Sequence, residues 1–141
     1  MNFSIDELTR SDTALRLGID NTPDENVKAN LKRLILDVLQ PLRDELKEPI
    51  IVNSGYRSPE LNKAVGGAKT SQHLTGEAAD IRAIPHPGES QKMANERLFN
   101  FISTRIKFGF VNVGQLLDEK NFSWIHVSLP SAKHKNDIRH L

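Results

Sequence analysis

Apolar positions in the first third of the chain keep helical spacing. Val27, Leu31, Leu34, Ile35, Val38, Leu42 and Leu46 recur every three or four residues and predict one long helix burying a single stripe. Thr22-Pro23-Asp24-Glu25 reads as its capping box, with proline at the first helical position. Pro41 falls inside the pattern and predicts a kink, because it has no N–H to donate. Upstream, Ser4-Ile5-Asp6-Glu7 is a second capping box for a short helix, residues 11–17 give another turn or two closed by Gly18, and residues 19–22 form a loop.

After Pro49 the period falls towards two. Residues 50–53 form an apolar run bounded by Pro49 and Ser54-Gly55, which predicts a buried strand. Ser58-Pro59 caps a short helix that Gly66-Gly67 stops, and residues 69–77 are a loop. In a strand over residues 78–83, Ala79, Ile81 and Ala83 share one face, and Ala78, Asp80 and Arg82 the other. A connector with two prolines precedes a helix over about residues 89–105, supported by Met93, Leu98, Phe101, Ile102 and Ile106. Residues 108–119 and 122–129 read as two strands of a hairpin turning at Lys120-Asn121. In the second, Ile125, Val127 and Leu129 oppose Trp124, His126 and Ser128. Residues 130–141 are polar and basic and read as a weakly ordered tail. The pattern predicts an α+β fold, a small antiparallel sheet packed against helices, as one domain over residues 1–141.

Composition narrows the chemistry. A chain of 141 residues fits one core, and a net charge of +1 with scattered basic residues argues against nucleic acid or an anionic membrane as partner. The absence of cysteine removes disulfides and thiolate metal sites and leaves histidines and carboxylates as ligands. The first residues have neither a basic nor an apolar signal region, so no signal peptide is expected, and no run nears the roughly 20 apolar residues of a membrane span. A monomer is expected.

His73, Asp80 and His126 are the candidate metal ligands. Asp80 and His126 each lie on the polar side of a strand whose other side is apolar, so neighbouring strands would aim both into one cleft, with His73 arriving from the preceding loop. Two imidazoles and a carboxylate suit a four-coordinate zinc with one open position.

SGYRSPELN, the following Gly-Gly, SQHLTGEAADI and WIHVS together resemble the zinc peptidases typified by D-Ala-D-Ala carboxypeptidases, D-Ala-D-Ala dipeptidases and phage L-Ala-D-Glu endolysins, whose fold hedgehog signalling domains share. Ser71, His73, Gly76, Ala78 and Asp80 fill that family's Ser-x-His-x6-Asp pattern, and His126 supplies its distant histidine. The similarity runs from Phe3 to about Leu129 and looks strongest towards the small phage- and bacteroidete-type branch.

The resemblance implies a zinc metallopeptidase that hydrolyses an amide of peptidoglycan stem peptides. Zinc would sit on His73, Asp80 and His126, with Arg57 stabilising the oxyanion. Ser71 would hydrogen-bond near the site or cap the loop around Gln72. Action at the cell wall after lysis or release, or as a phage or tail component, would follow. The general base departs from the common pattern. Many members have an acid three positions before the last histidine, where this chain has Ser123. Gln115-Leu116-Leu117-x-Glu119 resembles a Gln-Leu-Ile-x-Glu segment of the small branch, which makes Glu119 the candidate base, with a solvated hairpin residue as the alternative. A two-residue turn at Lys120-Asn121 pairs Glu119 with Phe122 and Gln115 with His126. Glu119 then lies ~13 Å along the strand from the ligand, beyond direct proton transfer unless a bulge or bend intervenes. Asp118 is the other nearby acid. Gln115 and Trp124 are the expected substrate contacts, Trp124 as a cleft wall with a plain core residue as the alternative, while His86, His134 and His140 read as surface residues. The rival reading is a non-catalytic zinc-bearing domain that binds a cell-wall peptide or a protein partner.

Overall fold

The computed structural model describes residues 1–141. The long helical stretch is continuous but not uniform. An α-helix, α3 (Glu25–Leu34), passes into a wider π turn over Ile35–Leu39 and then into α4 (Gln40–Leu46). The predicted break at Pro41 therefore takes the form of a π turn just ahead of it. The missing N–H and the ring's clash with the carbonyl four residues back are relieved by local widening of the ladder. The cap is Asp24, whose Oδ1 accepts from Val27 N at 2.8 Å, while Asp20 Oδ1 takes Thr22 N at 2.9 Å. The helix thus starts two residues later than the Thr22 box predicts, because Thr22 is already engaged in the preceding turn. Leu31, Leu34, Ile35, Val38, Leu39 and Leu42 are buried along it.

Two short helices, α1 (Ile5–Thr9) and α2 (Asp12–Leu17), precede α3; Ser4 caps α1 as the sequence suggests, Ser11 caps α2, and Gly18 closes α2 at φ 66°. Ser58 caps α5 (Pro59–Ala64).

The sheet has five strands in the order β1-β2-β4-β3-β5. They are β1 (Ile50–Ser54), β2 (Ala78–Ala83), β3 (Gln115–Glu119), β4 (Trp124–Ser128) and β5 (Asp137–His140). The first four pair antiparallel, with Asp80 opposite both Ser54 and His126. One face packs on α6 (Gln91–Lys107) through Ala79, Ile81, Leu116, Ile125 and Val127, which meet Leu98, Phe99, Ile102 and Ile106 in a 25-residue core. Each fully buried Leu, Ile or Phe there contributes about 1.5–3 kcal/mol by leaving water. Met93, expected on the buried stripe, is exposed, and Ala94 takes its place. The opposite face carries Asp80 and His126, as strand alternation predicts.

Two expectations are corrected at this end of the sheet. Residues 130–141 are not a weakly ordered tail. Within them, β5 adds to β3 as a parallel edge strand, with Leu116 opposite Ile138 and Asp118 opposite His140. His140 stacks on Phe99 with ring centroids 4.8 Å apart and pairs with the buried Asp118. His140 is therefore a latch on the core side of the sheet, although its ring remains largely exposed. The hairpin register is also different. The strand expected over residues 108–119 is confined to β3, and the turn takes four residues rather than two. Lys120, Asn121 and Phe122 all have positive φ, and Ser123 N bonds back to Glu119 O at 3.0 Å. Leu117 therefore faces His126, and Glu119 faces Trp124. Packing decides this. Phe122 leaves the strand to meet Phe99 edge-on, and Asn95 of α6, fully buried, donates to both Phe122 O and Ser123 O.

Candidate metal centre

His73 and His126 converge on one carboxylate oxygen. His73 Nε2 lies 3.3 Å and His126 Nδ1 3.2 Å from Asp80 Oδ1. One donor atom from each of the three residues lies within 4.8 Å of the other two. Bonds of ~2.0–2.1 Å at tetrahedral angles put ligand atoms ~3.3 Å apart, so both short edges match a zinc tetrahedron.

The three residues reach this point by different routes. Asp80 and His126 are cross-strand partners on the open face of the sheet. His73 sits in a 3-10 turn over Gln72–Thr75 that Ser71 caps and Gly76 closes. Gly76 has φ +77°, and a Cβ there would meet the Val27 backbone oxygen at 2.9 Å. Only glycine lets this turn close against α3.

The His73 ring is oriented from behind, with Nδ1 2.7 Å from the carbonyl oxygen of Gly55. A carbonyl only accepts, so the proton belongs on Nδ1. In the neutral ring, Nε2 then points a lone pair at a carboxylate oxygen that also only accepts. A second proton or a cation must lie between them, and the donor set fits a divalent metal of the zinc type. Burial pushes the Asp80 carboxyl up, but hydrogen bonding and charge from His126 and His73 outweigh it and hold the carboxyl well below the usual range. Asp80 is thus anionic, as a ligand must be.

The centre opens into a groove of ≈ 840 Å³. Arg57, Ser71, Gln115, Glu119 and Trp124 all line it beside the three donors. Arg57 is half-buried. Burial lowers its guanidinium pKa, and the nearby Asp80 and Glu119 carboxylates work in the other direction. Arg57 stays charged, since the ordinary value is far above neutrality. The corrected register moves Glu119 to a diagonal neighbour of His126. Such pairs lie about 7–8 Å apart, within reach of a long side chain, whereas the two-residue turn put Glu119 ~13 Å away. Its Oε2 accepts from the Trp124 indole N–H. Asp118, the alternative acid, points to the core face and pairs with His140 instead. Gln115 is not opposite His126. It pairs with Asp137 of β5 and donates to that carboxylate at 3.2 Å. Ser71 Oγ accepts from His73 N at 3.1 Å, which is the capping geometry. Ser123 Oγ bonds Lys120 O at 2.7 Å within the turn.

Sequence reasoning missed two contributions. Ser131, Lys133 and His134, from the supposed tail, also line the groove. Asn21, read as plain loop, bonds the backbone on both sides of Arg57. No local pattern marks either, because the contacts span 35 or more positions in the case of Asn21.

The sequence pattern of the peptidase M15 family matches residues 1–127. Over 46 residues the chain is 48% identical to the zinc D-Ala-D-Ala carboxypeptidase of Streptomyces albus G, a match covering 32% of this chain and 18% of that protein. The chain belongs to the peptidase M15 family.

Proposed function

We propose that this M15 peptidase is a zinc metallopeptidase hydrolysing an amide bond in peptidoglycan stem peptides, of the D-Ala-D-Ala carboxypeptidase or L-Ala-D-Glu endopeptidase type. The observation that carries the reading is the convergence of His73, Asp80 and His126 in a groove that also holds Arg57 and Glu119. Zinc, when bound, supplies Lewis acidity, polarising a carbonyl oxygen and making water nucleophilic near neutral pH.

The chain's own residues do the rest. His73, Asp80 and His126 hold the metal, with the Gly55 carbonyl keeping the His73 lone pair on Nε2. The Arg57 guanidinium faces the negative charge that grows on the scissile carbonyl oxygen, a role suited to a fixed, half-buried cation. Glu119 accepts the proton released from the attacking water and passes it to the leaving amine. Its Oε2 is engaged by Trp124, which leaves Oε1 for the proton. The Trp124 ring walls the groove, and Gln115 and Ser71 also line it as contacts for the peptide. Lys120 and Lys133, which also line the groove, suit an acidic peptide. Glu119 in the groove favours catalysis over the rival reading of a purely binding domain.

No helix is long and apolar enough to cross a membrane. Action at the cell wall as a monomer, after lysis or as part of a phage particle, accords with the substrate and belongs to the same proposal. Digestion of purified peptidoglycan and synthetic stem peptides, read by mass spectrometry, tests it. Cleavage should stop with a chelator, return with zinc, and be absent in His126→Ala, which should also lose stoichiometric zinc. A folded, zinc-loaded sample that cuts no stem peptide overturns the reading.

A further inference from the structure

We infer that Asn21 is a positioning residue that aims the Arg57 guanidinium into the groove. Asn21 Nδ2 donates to Tyr56 O at 3.1 Å, and Asn21 Oδ1 accepts from Ser58 N at 2.7 Å. Tyr56 O belongs to the peptide plane before Arg57, and Ser58 N to the plane after it. These two planes define φ and ψ of Arg57, so one buried carboxamide fixes both. The same Nδ2 donates to Thr9 O at 2.8 Å, which ties the clamp to the end of α1. This also gives the amino-terminal segment a place in the site.

Two backbone bonds and one from a ring to the backbone complete the frame. Tyr56 N donates to Leu8 O at 2.8 Å, Arg57 N to His73 O at 3.0 Å, and the His73 ring bonds Gly55 O. The loop bearing Arg57 is thereby locked to the turn bearing a metal ligand. The side chain itself has less to hold it, since Arg57 Nε is buried without a hydrogen-bond partner. Its aim therefore comes from the backbone, and Asn21 is the one side chain that bonds both peptide planes around it.

The chemistry selects asparagine. The position needs two N–H donors and one acceptor in a single plane of short reach. Aspartate offers acceptors only, serine one donor, and glutamine the right groups one methylene too far. Misplacement of a catalytic group by about 1 Å costs on the order of 10²-fold in rate.

This inference rests on Arg57 acting at the oxyanion, and the test separates the two ideas. Asn21→Ala, Arg57→Ala and the double variant are compared as zinc-loaded full chains, with Asn21→Asp as the near-isosteric variant should Asn21→Ala fold poorly. Asn21→Ala should lower kcat by about 10²-fold with KM and zinc stoichiometry little changed, and should cost nothing further in the Arg57→Ala background. Equal losses in both backgrounds, or wild-type kcat in folded Asn21→Ala and Asn21→Asp, overturn the inference. Wild-type kcat in Arg57→Ala instead overturns the oxyanion role, and a spectrum then decides the positioning. The Arg57 Nε–H resonance moves in Asn21→Asp if Asn21 aims the side chain, and its staying put refutes that.

Discussion

His73 bonds the Gly55 carbonyl oxygen through Nδ1 across 2.7 Å, so a backbone group, not a side chain, aims the ligand. Gly55 cannot easily be replaced. A Cβ at that position would lie 2.2 Å from Leu8 O, a backbone atom with little freedom to move. Gly55→Ala should displace the carbonyl that holds the His73 tautomer. Losing such an outer partner typically costs about 10–100-fold in metal affinity. Competition against a chelator of known affinity checks this, and unchanged zinc affinity in a folded variant would count against the role assigned to Gly55.

Glu119→Gln keeps the shape and the groove but removes the proton acceptor. General-base loss should lower kcat by about 10²–10⁴-fold with zinc still bound. Stopped or discontinuous assays on a stem peptide, with metal analysis of the same sample, read both quantities. Full activity would return Glu119 to the status of a solvated hairpin residue.

Asp118, one residue away, should behave oppositely. It is buried on the core face and bonded by His140, and Leu141 N reaches its carbonyl oxygen at 3.3 Å. Asp118→Ala should cost about 0.5–1.5 kcal/mol of stability through the lost hydrogen bond to the largely exposed His140 ring, while kcat changes little. Deleting residues 131–141 should destabilise further, since it uncovers Phe99 and bares the β3 edge, and should promote association of the exposed strand. Thermal melts and light scattering measure these effects.

Acid stability should depend in part on Glu89. Hydrogen bonds from Arg97 and from the His86 N–H hold its carboxyl at about 2, below its ordinary 4.5. A carboxylate depressed by folding adds stability that is fully present above the ordinary value. That stability disappears as pH falls from about 4.5 to about 2. Glu89→Gln should therefore melt lower than the parent above pH 5 and converge on it near pH 2. Parallel melting curves across that range would show that the Arg97 pair contributes nothing.

Much of the site is written in local sequence. Strand alternation alone puts Asp80 and His126 on polar faces, because side chains change sides at every residue. Ser4, Ser58 and Gly18 announce helix ends through hydrogen bonds that span only a few positions. What local sequence leaves open is pairing. A two-residue and a four-residue turn at Lys120 are both compatible with the same apolar pattern, since the shift moves the register by an even number and keeps every side chain on its face. Phe122 packing on Phe99, and Asn95 seizing two carbonyls of the turn, decide between them, and with that choice Glu119 comes beside His126. The fifth strand is hidden for the same reason. Asp137–His140 is polar, and only the edge of β3, Asp118 and the Phe99 ring make it a strand. Asn21 is the extreme case. Its partners lie 35 and 37 positions away, and only the folded chain brings its carboxamide to the two peptides that frame Arg57. The residue types and the periodicity determined which groups could bind a metal and which faces they occupy. The tertiary structure decided which acid joins them and what holds the arginine, because register and distant side-chain-to-backbone bonds are settled by packing between segments.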